Sequence, residues 1–117
     1  MWIIFKKPLI NINYIFFYCN KLLSIDLSNF NTNNVTNMKY MFSGCSSLTS
    51  LNLSNFTNNV EDMSSMFSNC SSLISLNLSN FNTKNVKYMS CMFFGCKKLN
   101  KNNIITKDER ILNEFDN

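Results

Sequence analysis

Apolar residues return along residues 41–92 in a pattern that the chain writes out nearly twice. Residues 41–65 read MFSGCSSLTSLNLSNFTNNVEDMSS, and residues 66–91 read MFSNCSSLISLNLSNFNTKNVKYMSC. Self-similarity at a period of about 25 residues marks a stacked-repeat architecture. With Cys19, Cys45, Cys70 and Cys96 as origins, the copies are spaced by 26, 25 and 26 residues. Three positions on stand Leu22, Leu48, Leu73 and Leu99. Eight positions on stand Leu27, Leu53, Leu78 and Ile104. Eleven positions on stand Phe30, Phe56 and Phe81, after which the last copy fades.

Within a copy the apolar period changes once. Ile25 and Leu27, Leu51 and Leu53, and Leu76 and Leu78 alternate with polar residues, as in a short strand with one buried face. Val35, Met38, Met41 and Phe42 then follow at i, i+3, i+6 and i+7, which predicts one face of a helix. Val60, Met63, Met66, Phe67 and Val86, Met89, Met92, Phe93 repeat that spacing. Asn34, Asn59 and Asn85 precede these runs where a helix cap is wanted. Gly44, Asn69 and Gly95 follow them where a left-handed residue ends a helix. Each copy thus reads as strand, turn, two-turn helix and turn. The residue missing from the second copy falls between Phe56 and Val60, in a turn.

The ends fit the same frame. Leu9, Ile12, Ile15 and Phe16 fall on the positions of Val35, Met38, Met41 and Phe42, and Pro8 falls on that of Asn34. The apolar start of the chain therefore reads as a degenerate half-repeat. Lys6, Lys7 and Pro8 also interrupt it too often for a membrane span. Tyr18, in the slot of Gly44, is a poor left-handed residue and predicts an irregular turn. Thr106 to Glu109 match a capping box, and Ile111, Leu112 and Phe115 follow at helical spacing as a closing helix. The whole chain is one domain: a half-repeat at 1–18, full repeats at 19–44, 45–69 and 70–95, and a degenerate terminal repeat with its cap at 96–117. One copy has too few apolar side chains to offset the entropy of ordering it, so each copy needs its neighbours.

Composition narrows the function. Hydrophobic residues make up 45% of the 117 positions, enough for a core, and two glycines and one proline leave no flexible linker. The net charge of +4 is modest. Lys84, Lys87, Lys97, Lys98 and Lys101 make a mild basic patch, which is no nucleic-acid footprint. The chain has no histidine, so the commonest general base and metal ligand are missing.

The motif C-x-x-L-x-x-L-x-L-S-x-F followed by N-V-x-x-M-x-x-M-F, over about residues 9–104, resembles the BspA-like leucine-rich repeats of microbial and protist surface proteins. The resemblance implies an α/β fold: a short right-handed leucine-rich-repeat solenoid with one short parallel strand and one short helix per repeat. It implies a non-catalytic module for protein–protein interaction or cell-surface adhesion, with no cofactor, and a place on the cell surface or outside the cell. The chain shows no clear signal peptide, which keeps an intracellular location open. The alternative to a binding module is a structural fragment or intracellular scaffold derived from a longer repeat protein.

Candidate chemistry follows from the register. Cys19, Cys45, Cys70 and Cys96 occur once per copy, which suits a ladder of buried thiols and not the paired spacing of a zinc site. No metal site is expected. Cys91, in the slot of Tyr40 and Ser65, reads as an exposed thiol on a helix flank and the one most open to reaction or intermolecular pairing. Asn29, Asn55 and Asn80 read as a structural ladder that satisfies backbone groups at a turn. Asn34, Asn52, Asn55, Asn69 and Asn77 each satisfy N-x-S/T, as a chain so rich in Asn and Ser will do without glycosylation. The outward residues of the strands, Ser24, Asp26, Ser50, Asn52, Ser75 and Asn77, are the candidate ligand-binding stripe for a protein partner, with neither nucleic acid nor membrane insertion expected. Four strands about 4.8 Å apart offer only a few hundred Å², against about 800 Å² per partner in a specific interface. Self-association through the amino-terminal edge is a further expectation.

Overall fold

The computed structural model describes residues 11–27, 32–53, 56 and 59–116. Successive copies lie side by side, and backbone hydrogen bonds fix their register at two kinds of place: strands, which pair the first full copy with the second and the third with the terminal one, and turn segments. The first is the strand. β1 (Ser24–Asp26) runs parallel to β2 (Ser50–Asn52), with Ser24 opposite Ser50, Ile25 opposite Leu51 and Asp26 opposite Asn52. Ile25 and Leu27 are buried while Asp26 faces out, as the alternation requires. β3 (Leu76–Asn77) pairs in parallel with β4 (Ile104–Ile105), with Leu76 opposite Ile104.

That last pairing corrects the register expected from the sequence, which set Ile104 level with Leu78. The terminal copy carries two more residues than the others before its strand. A 3-10 turn at Lys101–Asn103 absorbs them. Asn100 and Asn103 brace it reciprocally: the Asn100 side chain accepts from the Asn102 amide at 2.8 Å, and the Asn103 side chain accepts from the Asn100 amide at 2.8 Å. A slip of one residue would turn every side chain to the wrong face, whereas a slip of two preserves the alternation. Ile104 remains buried and Ile105 remains exposed.

The second place of contact is where the sequence predicts helices, and no helix forms there. Val35, Met38, Met41 and Phe42 are buried as the spacing requires, but the backbone is a chain of tight turns. The Met41 amide bonds to the Met38 carbonyl, Ser43 to Tyr40, and Cys45 to Phe42, each at 3.1 Å. Turns closed from i to i+3 bring every third or fourth side chain to one side, so their apolar spacing imitates a helix. Residues 63–70 and 91–96 repeat the same closures. Asn34, Asn59 and Asn85 therefore cap nothing helical. The side chains that cap these segments belong to Asn11, Asn37 and Asp62, which accept from the amides of Asn13, Lys39 and Ser64 at 2.9–3.0 Å.

Alternate turns carry a left-handed residue at their third position. Tyr14, Tyr40, Ser65 and Cys91 have φ between 54° and 62°, and Tyr18, Gly44, Asn69 and Gly95 have φ between 58° and 81°. Positive φ at that position is the mark of a type II turn. Tyr18 accepts it as the glycines do, at a steric cost of about 1 kcal/mol. The glycines are also required by their neighbours: a Cβ on Gly44 would stand 2.7 Å from the Tyr18 ring, and one on Gly95 would collide with the Asn69 side-chain oxygen.

A left-handed residue every fourth position turns alternate amides out of their own segment and toward the next copy. Ile12, Tyr14, Phe16 and Tyr18 donate to the carbonyls of Asn37, Lys39, Met41 and Ser43 at 2.8–3.0 Å. Met38, Tyr40, Phe42 and Gly44 donate in turn to Asp62, Ser64, Met66 and Ser68 at 2.8–3.1 Å. Met63, Ser65, Phe67 and Asn69 donate to Tyr88, Ser90, Met92 and Phe94 at 2.6–3.1 Å.

The core is built from side chains that repeat with this register. Phe16, Phe42, Phe67 and Phe93 stack with centroids 5.6, 5.6 and 5.9 Å apart, and Phe115 closes the column 4.5 Å beyond Phe93. Phe56 lies 5.7 Å from Phe81 in a second column. Phe115 is carried on the short turn after α1 (Glu109–Asn113), the one α-helix among the described residues. Its cap is Asp108 and not Thr106, whose hydroxyl instead accepts from the Asp108 amide at 3.1 Å. Arg110 fastens this closing piece to the third copy's turn. It grips the Asp108 carboxylate at 2.6 Å and donates to the carbonyls of Val86 at 3.0 Å and Thr83 at 2.9 Å.

The Arg110 hydrogen bonds hold the Asp108 carboxyl below its ordinary range. A carboxyl with a lowered folded pKa stabilises the fold fully above the ordinary range near 4, and that contribution is lost as the pH falls through the lowered value. Asp108→Asn is therefore expected to lower stability by about 1 kcal/mol at neutral pH. Thermal melts from pH 7 to pH 2 should show the difference between the two proteins shrinking toward zero in acid.

Candidate functional site

All six residues of the expected binding stripe, Ser24, Asp26, Ser50, Asn52, Ser75 and Asn77, are exposed. Pairing brings Ser24 beside Ser50 and Asp26 beside Asn52. The stripe is not one continuous sheet among the described residues, because β1 pairs with β2 and β3 with β4. Between β2 and β3 lies a depression of about 230 Å³ lined by Thr49, Ser50, Leu51, Ser75, Leu76, Asn77, Asn103 and Ile105. A smaller one of about 190 Å³ is lined by Leu51, Asn52, Leu53, Asn77 and Asn80.

Asn77 has structural work on this face. Its side-chain oxygen accepts from the Ser79 amide at 3.0 Å and the Ser79 hydroxyl at 2.6 Å, closing the turn after β3. Asp62 and Ser64 make the same pair of bonds elsewhere, at 2.9 and 2.6 Å. The L-N-L-S pattern thus encodes a strand followed by a side-chain-closed turn. Of the expected asparagine ladder, Asn29 and Asn55 lie outside the described residues, and Asn80 is exposed.

The cysteines do more than fill space. Cys45 Sγ donates to the Phe16 carbonyl at 3.2 Å, Cys70 to Phe42 at 3.2 Å, and Cys96 to Phe67 at 2.9 Å. Each of those carbonyls also accepts a turn-closing amide from its own segment. Each thiol therefore ties one copy to the one before it. Burial, with the neighbouring Cys19 adding to it, pushes the Cys45 thiol up to about 11. The hydrogen bond with Cys96, together with burial, pushes Cys70 up as well. Protonated, buried thiols are poor nucleophiles. Among the described residues all five cysteines are free, and no three His, Cys, Asp or Glu side chains converge as a metal site requires.

The turn face carries a feature that the sequence reading missed. Tyr14, Phe17, Tyr18 and Tyr40 form an aromatic cluster on the surface. Tyr14 stacks on Tyr40 at 4.9 Å, Phe17 meets Tyr14 edge-on at 5.2 Å, and Tyr18 meets Phe17 edge-on at 4.5 Å. The Lys39 ammonium lies 5.3 Å from the centre of the Tyr40 ring. Tyr18 is 60% exposed, and Phe94 further along the same face is 68% exposed. From Phe17, Tyr18 and Tyr40 a groove of about 340 Å³ runs past Ser43, Ser65, Ser68 and Asn69 to Cys91 and Phe94. The available signal was the broken pattern. Phe17 and Phe94 stand where other copies have Ser43 and Ser68, and Tyr18 stands where they have Gly44, Asn69 and Gly95.

Cys91 is exposed on this turn face and not on a helix flank. Native alkylation followed by mass spectrometry should label Cys91 rapidly and half-buried Cys19 slowly. Cys45, Cys70 and Cys96 should react only after denaturation, and labelling of Cys45 or Cys70 in the folded protein would refute the inter-copy role of the thiols.

No described helix is long and apolar enough to cross a membrane. Neither the curated proteins nor the solved structures contain a match to the chain. Residues 7–110 match the model of a family described as Mycoplasma protein of unknown function, DUF285.

Proposed function

The chain belongs to that family, and from the surface and repeat register described above we propose that it is a non-catalytic protein-binding module, a short leucine-rich-repeat solenoid of the BspA-like kind. The observation that carries the proposal is the surface aromatic cluster of exposed Tyr14, Phe17 and Tyr18 with half-buried Tyr40 at the head of the turn-face groove. Large exposed apolar groups cost solubility, and a contiguous patch of them marks an interaction surface. Tyrosine in particular supplies contact area with few rotors to freeze, together with a polar tip. Ser43, Ser65 and Ser68 line the groove without charge, and the Ser68 hydroxyl donates to the Cys91 carbonyl at 2.6 Å. The backbone register supports the repeat reading: bridges link Asn11 to Asn37, Asn37 to Asp62 and Asp62 to Tyr88.

The strand face is the second reading, favoured by the depressions beside Ser50, Ser75 and Asn77. Its polar lining and small size suit an auxiliary contact, and adhesion through both faces would enlarge the interface toward the standard size.

Quantitative capture from source-cell extract separates the two faces. The double substitution Phe17→Ser with Tyr18→Ser is expected to reduce retention of a partner at least about tenfold, the loss of one to two buried aromatic contacts. Asn52→Lys with Asn77→Lys is expected to change it little. The reverse result would move the binding surface to the strands, and equal retention by all three folded proteins would dismiss both faces.

A further inference from the structure

The turn ladder has a direction, and at each end it leaves backbone groups without a partner among the described residues. Each turn segment donates alternate amides forward and receives with the intervening carbonyls from behind. At the far end, residues 89–95, the amides of Met89, Cys91, Phe93 and Gly95 stand in the donating positions and have no acceptor among the described residues. Three of them, Cys91, Phe93 and Gly95, line a cavity of about 510 Å³ that is closed on its other side by Glu114 and Phe115. At the near end, the carbonyls of Asn11, Asn13, Ile15 and Phe17 stand in the accepting positions and receive no donor among the described residues.

We propose that the open edge at residues 89–95 docks the first turn segment, residues 11–18, of a second copy of this chain. The inference goes beyond the partner-binding reading and does not depend on it. The two edges have complementary polarity, since one offers donors and the other acceptors at identical spacing. They have the same shape, since Tyr14 and Cys91 share a φ near 60° and Tyr18 and Gly95 share the left-handed conformation four residues on. Continuing the ladder pairs Cys91 with Asn13 of the second copy, Phe93 with its Ile15, and Gly95 with its Phe17.

The closing turn stands at this edge, with Glu114 and Phe115 both lining the cavity. Phe115 lies flat on Phe93 at 4.5 Å, in the place where Phe16 of a second copy would stack. It is carried beyond the Arg110 anchor, on the Glu114–Asp116 turn, so it can leave while α1 stays fastened. Phe115 is therefore a plug that a second copy displaces. The contact joins different surfaces head to tail, so it does not close on itself and allows chains longer than two.

The test uses the full chain with Tyr14→Cys, which sets a thiol one ladder spacing, about 4.8 Å, from Cys91 of the next copy. A short bis-maleimide cross-linker should then give a ladder of dimers and larger species on a denaturing gel where wild type stays monomeric. Adding Cys91→Ser should abolish the ladder, and adding Phe115→Ala should strengthen association about tenfold, the effect of removing one competing ring stack. Absence of the ladder from Tyr14→Cys with and without Phe115→Ala overturns the proposal. So does equal dimer formation by wild type through two Cys91 thiols, which denotes a symmetric contact. Should Tyr14→Cys fail to fold, sedimentation velocity of Phe115→Ala alone decides. Tighter association than wild type upholds the plug, and unchanged association rejects it.

Discussion

The structure depends on backbone amides that leave their own segment. Buried peptide groups must find partners, and a short repeat has two ways to provide them. A helix would satisfy its amides internally and leave each copy to meet its neighbours through side chains alone. Here the left-handed residues at positions such as Tyr40 and Gly44 turn every second amide toward the next copy, and the carbonyls there take it up. Neighbouring copies are thereby locked at a fixed register, and every other ladder in the molecule follows from that register.

The phenylalanine column is one such consequence. Rings at equivalent positions must lie about one strand spacing apart, and the observed 5.6–5.9 Å separations are that spacing with a lateral offset, the arrangement aromatic rings prefer. The cysteines are another. A thiol at the end of each turn run falls within reach of the carbonyl that closes the equivalent turn of the preceding copy, so a residue that looks like filler acts as a donor. The same constraint gives the ladder two unlike edges, because one-directional bonds leave donors at one edge and acceptors at the other without a partner among the described residues.

Much of this was legible in the chain. The buried residues from Val35 to Phe93, the buried cysteines Cys45, Cys70 and Cys96, and the left-handed conformations of Gly44, Asn69 and Gly95 all follow from aligning the chain with itself. The helices were misread because burial periodicity reports which side chains share a side, and turns closed at i+3 share it almost as a helix does. The cue against helix was Asn37 and Asp62 with a polar residue two positions on, the sign of a side-chain-closed turn. The offset of the final strand was hidden because a two-residue insertion keeps the alternation intact. The aromatic cluster escaped notice because residues such as Phe17 and Tyr18 were aligned for what they share with the other copies and not for how they depart from them.

Native-state hydrogen exchange tests the central claim most directly, by comparing equivalent amides along the ladder. Met38, Tyr40, Phe42 and Gly44, with Met63, Ser65, Phe67 and Asn69, should exchange only through global unfolding, because each bonds to the next copy. Cys91, Phe93 and Gly95, in the same repeat positions but without a next copy, should exchange orders of magnitude faster in dilute solution. Equal protection at residues 38–44 and 91–95, or the continuous protection of a helix through each run, would contradict the account.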